Sequence, residues 1–433
     1  MGSCLTGISL SDLRIGFFVL ACLIYGFFGS PTPDHLGWAE FLVGSLLVLC
    51  VGAGGVFPLF RSPRNQLFWY GAGQFLLLYG VTVSLSLSIF YGHPVSQALR
   101  DLVPFLFLFL PVFLWPLLLQ KPQYGRALLF CSVVIGLLFS LRSVLSKVGP
   151  CFPFCSDELL YLENMPTVLF AALILLGFPM QRFVRTGSAK AFAFLILCAF
   201  VSLIPGAALV LSSQRASLGA VALYAFLTGA FYLYQRPGRM VPVVLLGLLF
   251  LLPLIVFLPA VFESLLSKTE QVGFNNRPEE AAAVWGAVAQ NPFSLLFGLG
   301  WGAHFHSPAV GGVSVNFTHN FFTTMLLKCG VCGLISSFLY IAGLARVLGR
   351  LVFLNPVFGL ALAAPFLIDI TLYASFKSLD FGLTLLMISS SLLYFSQSES
   401  SSFPSQSSHA SSDHCFHEPS LSSRARCDGA GFA

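Results

Sequence analysis

Three residues, Arg215, Arg277 and His319, each follow within two positions a residue able to cap a helix. Ser213 would cap a helix with Arg215 in its first turn. Asn276, with Glu279 three residues on, reads as a capping box around Arg277. Thr318 would cap a third helix that opens on His319 and Asn320. A helix start offers free N–H groups and a partial positive charge. A guanidinium adds the planar fork that suits phosphate oxygens. Three such starts on one face would hold an anionic ligand carrying phosphates, and histidine is the side chain suited to proton transfer near neutral pH. Competing readings exist for each residue: Arg215 as a snorkelling cation, Arg277 in a surface ion pair with Glu280, His319 as a plain helix-start residue. His304, His306 and His319 match no zinc spacing, so neither a metal nor another cofactor is expected.

The elements that must position these residues are membrane helices. Of the 433 residues 57% are hydrophobic and only 9% charged, against about 25% charged in soluble domains. With a mean hydropathy of +0.86 the chain cannot enclose one aqueous core. The net charge of +5 is scattered through short loops, so no nucleic-acid partner is expected. Runs long enough to cross about 30 Å of hydrocarbon fall near 13–29, 38–60, 66–90, 102–119, 125–145, 160–179, 191–212, 215–234, 240–261, 319–345, 352–373 and 378–396. Lipid leaves backbone groups no water to bond, so these spans must be helices. The expected fold is an all-α polytopic integral membrane protein of about twelve transmembrane helices over residues 1–396. Residues 262–318 form its one large loop, carrying short helices, and 397–433 form a disordered Ser-rich cytoplasmic tail.

Orientation follows from the lysine and arginine bias. With the N-terminus in the cytoplasm, the inner loops hold twelve of the 22 basic residues, among them Arg14, Lys121, Arg182, Arg185, Arg236, Arg239 and Arg346. The outer loops and helix ends hold Arg100, Lys147, Arg215, Lys268, Arg277 and Lys377. Loop 262–318 is therefore expected outside the cytoplasm. The first span reads as a retained helix, since no clean signal-peptidase site precedes Pro31. Within the spans, Arg142, Lys328 and Asp369 are expensive in lipid, and Lys328 with Asp369 reads as a structural ion pair. Glu158 and Glu163 open the sixth span and would be free to orient an acceptor. Cys151 and Cys155 share an outer loop, where a disulfide is an open question.

The run S-S-Q-R-A-S-L-G-A around Arg215, then N-N-R-P-E-E-A-A-A-V-W-G-A-V-A-Q-N-P-F-S-L-L-F-G-L-G-W-G, then T-H-N-F-F-T-T-M-L-L-K-C-G-V-C-G, resembles the O-antigen ligase and polymerase superfamily. The likeness covers about residues 212–345. Its motifs fall on Arg215, on Arg277 with Trp285 and Asn291-Pro292, on the turn of Gly298 and Gly300, and on His319-Asn320. One departure is Ala216, where a glycine often follows the arginine. The resemblance implies a GT-C-like glycosyltransferase in the bacterial inner membrane with its active site facing the periplasm. It would take a glycan from an undecaprenyl-diphosphate carrier and pass it to lipid A core, to a growing polysaccharide or to a protein. Arg215 and Arg277 would hold the diphosphate and His319 would act on the acceptor hydroxyl, while Asn320, Trp285, Gly298 and Gly300 would line the substrate site. The competing class is a polysaccharide or lipid-linked oligosaccharide transporter, which would place its binding residues near mid-membrane on broken helices.

Overall fold

The computed structural model describes residues 9–30, 37–60, 67–148, 162–249, 259, 263 and 276–401. Cys151, Cys155, Glu158, most of loop 262–275 and the tail beyond 401 lie outside these residues. The described chain is almost entirely helical: α1 Leu10–Phe28, α2 Trp38–Val56, α3 Phe68–Tyr79, α4 Leu85–Phe90, α5 Val95–Phe107, α6 Leu110–Gln120, α7 Gly125–Val148, α8 Pro166–Thr186, α9 Ala189–Leu211 and α10 Arg215–Gln235. The short apolar helix α11 covers Pro237–Leu249. Then follow α12 Arg277–Val288, α13 Pro292–Phe297, α14 Phe321–Leu354, α15 Pro356–Thr371 and α16 Leu379–Ser401. The two short strands, β1 Phe305–Ser307 and β2 Val313–Val315, pair antiparallel as a hairpin within the large loop.

Among the described residues nine helical stretches are long and apolar enough to cross a membrane. Three shorter apolar helices, Pro237–Leu249, Pro356–Thr371 and Leu379–Leu393, occupy the places of the other expected spans. The fold is thus all-α and polytopic, while the number twelve is not confirmed. The buried core is built from leucine, phenylalanine and alanine of the spans, with Phe18, Phe109, Phe139, Phe170 and Tyr340 fully enclosed.

Charged residues sort to two opposite ends of the bundle. At one end Arg14 donates to the Cys50 carbonyl at 2.6 Å, Lys121 meets Asp12 at 2.7 Å, and Arg239 donates to the carbonyls of Val184 and Arg185 at 2.9 and 2.7 Å. At the other end lie the starts of α10 and α14, the α15–α16 turn and the large loop.

Two spans are irregular where that loop docks. Between α3 and α4 the helix widens to a π turn over Gly80–Ser84. Trp301, only 2% exposed, donates its indole N–H to the Gly80 carbonyl at 2.8 Å. In α14 the backbone breaks at Gly330, with φ 66° and ψ −166°. The carbonyls of Leu327 and Lys328, just before the break, accept the N–H groups of Leu299 and Gly300 at 2.9 and 3.0 Å. Irregular backbone is tolerated at membrane depth only when protein satisfies its polar groups, and here the loop does so.

Candidate functional site

Two of the three expected caps are displaced by a residue or two, while Asn276 keeps the cap position of α12. Ser213 takes a left-handed conformation, φ 49°, and Gln214 occupies the position before α10. Asn276 is also left-handed, φ 46°, and its side chain makes no cap bond, so the capping box with Glu279 does not form. Asn320, not Thr318, caps α14: its side-chain oxygen accepts the N–H groups of Phe322 and Thr323 at 2.8 and 3.4 Å. His319 therefore precedes the helix instead of opening it. Thr318 instead joins the hydroxyls of Thr323 and Thr324 at 2.6 and 2.8 Å.

What holds His319 is Glu280, which the sequence suggested only in the competing reading of Arg277 as a surface ion pair. Glu280 is 3% exposed, on the inward face of α12. Both of its oxygens stand 3.2 Å from His319 Nδ1, and Oε2 also accepts the His319 backbone N–H at 3.0 Å. Ser307, at the end of β1, donates to Oε1 at 2.7 Å. Burial alone would raise the Glu280 carboxyl, but the hydrogen bonds from His319 and Ser307 outweigh it and hold the group below its ordinary value. An anionic Glu280 accepts the Nδ1 proton and leaves Nε2 as the ring nitrogen open to a substrate.

The two arginines come together although they are far apart in sequence. Burial first, and the like charge of Arg215 beside it, pull the Arg277 guanidinium below its ordinary value; Tyr373 and Glu280 oppose this. Tyr373, in the turn after α15, donates its hydroxyl to Gln214 at 3.0 Å. Burial pushes its phenol up, with Asp369 adding to the rise and Arg277 and Arg215 opposing it. Tyr373 therefore lies within the field of both cations. Arg277 Nε is buried and has no hydrogen-bond partner among the described residues. Arg277 thus lies in the field of a second guanidinium while Glu280, the carboxylate acting on it, is committed to His319, an arrangement that favours an anion at Arg277.

The remaining expected residues take separate places. Trp285 is 53% exposed on the outer flank of α12. Gly298 and Gly300 both have positive φ, 84° and 79°. A Cβ on Gly298 would come within 2.5 Å of the Gly330 nitrogen, and one on Gly300 within 2.5 Å of the Ser88 nitrogen. In the fold these two glycines let the loop backbone touch α14 and α4. His304 bonds the Gly302 carbonyl at 2.8 Å and His306 the Gly312 carbonyl at 3.1 Å, so the three histidines make three unrelated contacts.

The expected Lys328–Asp369 pair is not formed. Lys328 reaches Asp101 of α5 at 2.5 Å, whereas Asp369 accepts from Ser375. Asp101 also accepts from the Gly302 N–H and from Asn316, and so ties the loop to two spans. Arg142 donates to the carbonyls of Gly26 and Gly29, at the end of α1. Glu163 accepts from Ser143 and Lys147 at 3.1 and 3.4 Å.

Residues 197–338 match the family model described as O-Antigen ligase. The match runs from within α9 to within α14 and contains Arg215, Arg277, Glu280, Trp285, Gly298, Gly300, His319 and Asn320. It supports an O-antigen ligase-like family for this multi-pass membrane chain. Comparison with curated proteins finds no match.

Proposed function

From the O-antigen ligase match over residues 197–338, we propose that this chain is a membrane glycosyltransferase. It takes a glycan from an undecaprenyl-diphosphate carrier and passes it to lipid A core or to a growing polysaccharide. The reaction lies at the outer face of the bacterial inner membrane, on loop 262–318 and the helix ends around it. The acceptor hydroxyl attacks the anomeric carbon while His319 Nε2 takes its proton. The bond from that carbon to the phosphate oxygen breaks, and the diphosphate leaves with the electron pair. Arg215 and Arg277 offset the charge that develops there, and no resident metal is required by this scheme. Asn320 sets the entry of α14 beside the base, Trp285 offers an exposed ring for a sugar face, and Gly298 with Gly300 shapes the turn beneath.

One observation carries the reading: a histidine held by a buried carboxylate next to two converging arginines, all inside the matched segment. Transfer from a lipid-linked donor by the purified chain tests it. Arg277→Ala should cost about 2–4 kcal/mol of transition-state stabilisation, as removal of one oxyanion donor does, and Arg277→Lys should restore only part of it. An inserted Arg277→Ala variant transferring at the full rate would refute the diphosphate role. The glycan profile of a deletion strain separates the acceptors: loss of all capped core indicates a ligase, and retained single-repeat capping indicates a polymerase.

A further inference from the structure

Lys377 is a charged group near the site that the proposed transfer leaves unused. It ends the 3-10 turn Ala374–Lys377 and is 16% exposed. Its Nζ stands 3.7 Å from Asp101 Oδ1, beyond hydrogen-bond length. Asp101 is already committed to other donors: Oδ2 accepts from Lys328 at 2.5 Å and from the Gly302 N–H at 2.8 Å, and Oδ1 accepts from Asn316 at 3.1 Å. Lys328, fully buried, also donates to the Ala303 carbonyl at 2.7 Å, which makes that pair complete in itself. Arg100, next to Asp101 in α5, adds a third positive charge to the field at Lys377. One buried carboxylate thus faces two ammoniums, those of Lys328 and Lys377, and a buried excess of charge is costly until an anion answers it.

Phe317 connects this cluster to the candidate base. Its ring centroid lies 5.4 Å from Lys377 Nζ and 5.9 Å from the His319 ring. The same α15–α16 turn carries Tyr373 to Arg215 and Arg277. His319 is therefore flanked through Glu280 by the arginine side and through Phe317 by Lys377.

We propose that Lys377 is a third phosphate-binding cation of the site, beside Arg215 and Arg277, taking a phosphate oxygen of a substrate on the Phe317 side of His319. The proposal rests on the glycosyl-transfer reading. The phosphate has two sources, the diphosphate of the lipid-linked donor and a phosphate group carried by the acceptor. The groups that face Lys377 are Arg100 and Asp101 from α5, Lys328 from α14, and His319 beyond the Phe317 ring. Burial pushes its ammonium down to about 8, with Asp101 opposing and Lys328 and Arg100 adding to the fall. The binding form is the cation, so anion capture weakens as pH rises through that value.

Steady-state transfer by the full-length chain, with donor and acceptor varied separately, tests the assignment. In Lys377→Met the KM of the phosphate-bearing substrate should rise about tenfold, the loss of one charge-assisted contact, with the other KM unchanged. A rise confined to the donor places the contact on the diphosphate, and one confined to the acceptor places it there. In the wild type, log kcat/KM for that substrate should fall above about pH 8, and Lys377→Arg should remove this alkaline limb while keeping the affinity. Both KM values unchanged in Lys377→Met, or the limb retained in Lys377→Arg, overturns the proposal. Calorimetric binding of inorganic pyrophosphate to the same proteins needs no turnover: Lys377→Met should weaken it and Lys377→Arg preserve it, and equal binding by all three overturns the assignment. A wild-type chain that binds pyrophosphate through Lys377 yet transfers no glycan defeats the transferase reading alone.

Discussion

At the scale of single residues, the candidate chemistry depends on which proton the His319 ring carries. Glu280 settles that by holding Nδ1 and the backbone N–H of the same residue. Replacing the carboxylate by an amide keeps the shape but allows the opposite tautomer, a change that costs about 10⁴-fold in the serine protease triad. Glu280→Gln should therefore lower kcat by at least about 10²-fold with KM little changed, and adding His319→Ala should cost little more than His319→Ala alone. Full additivity of the two losses would show that Glu280 acts elsewhere. The pH sign follows from the carboxyl being held low. Its contribution to stability is present above the unfolded value and is lost only as pH falls through the lower folded value. Activity should thus show no limb from Glu280 in the ordinary carboxylate range. The sequence singled out Arg215, Arg277 and His319 through the local runs around them, and in the fold Arg277 lies in the field of Arg215 and of Glu280, the carboxylate that holds His319. Glu280 was not singled out: three residues from Arg277 it looked like a surface partner, and its true partner lies 39 residues away.

At the scale of elements, the loop and α14 are joined backbone to backbone at Gly298 and Gly330. A Cβ on Gly330 would lie 2.4 Å from the Gly298 nitrogen and from the Leu296 carbonyl oxygen, and φ of 66° would strain it besides. Gly330→Ala should lose about 1–3 kcal/mol from the backbone conformation alone, read as a lower unfolding temperature in detergent. A variant as stable as the wild type would mean that the two segments part readily. Helix existence was legible in the apolar runs, whereas helix starts were misplaced at Ser213 and Thr318. A capping residue is recognised by type, but the left-handed turn at Ser213 and the threonine cluster around Thr318 are tertiary choices. The same holds for Lys328, whose partner Asp101 is 227 positions distant and had no local signal.

At the scale of the whole molecule, the bundle places its arginine-rich turns at one end and the candidate site at the other, as the charge bias along the chain required. Cysteine labelling in a Cys-free background tests which end is cytoplasmic. An impermeant reagent applied to whole cells should modify Ser314→Cys, on the exposed hairpin, and leave Lys190→Cys untouched until the cells are opened. The reverse pattern would put loop 262–318 inside and remove the proposed site from the outer face. The pairing of Asp101 with Lys328 has a further consequence, for biogenesis. A ribosome delivers the span of Asp101 to the membrane long before it has made Lys328, Gly302 or Asn316. During that interval a carboxylate at the edge of the bilayer has none of its final donors. The first half of the bundle therefore enters the membrane as an unfinished receptor; the loop and α14 bring Gly302, Asn316 and Lys328 to Asp101, and only the turn after α15 adds Lys377 and Tyr373.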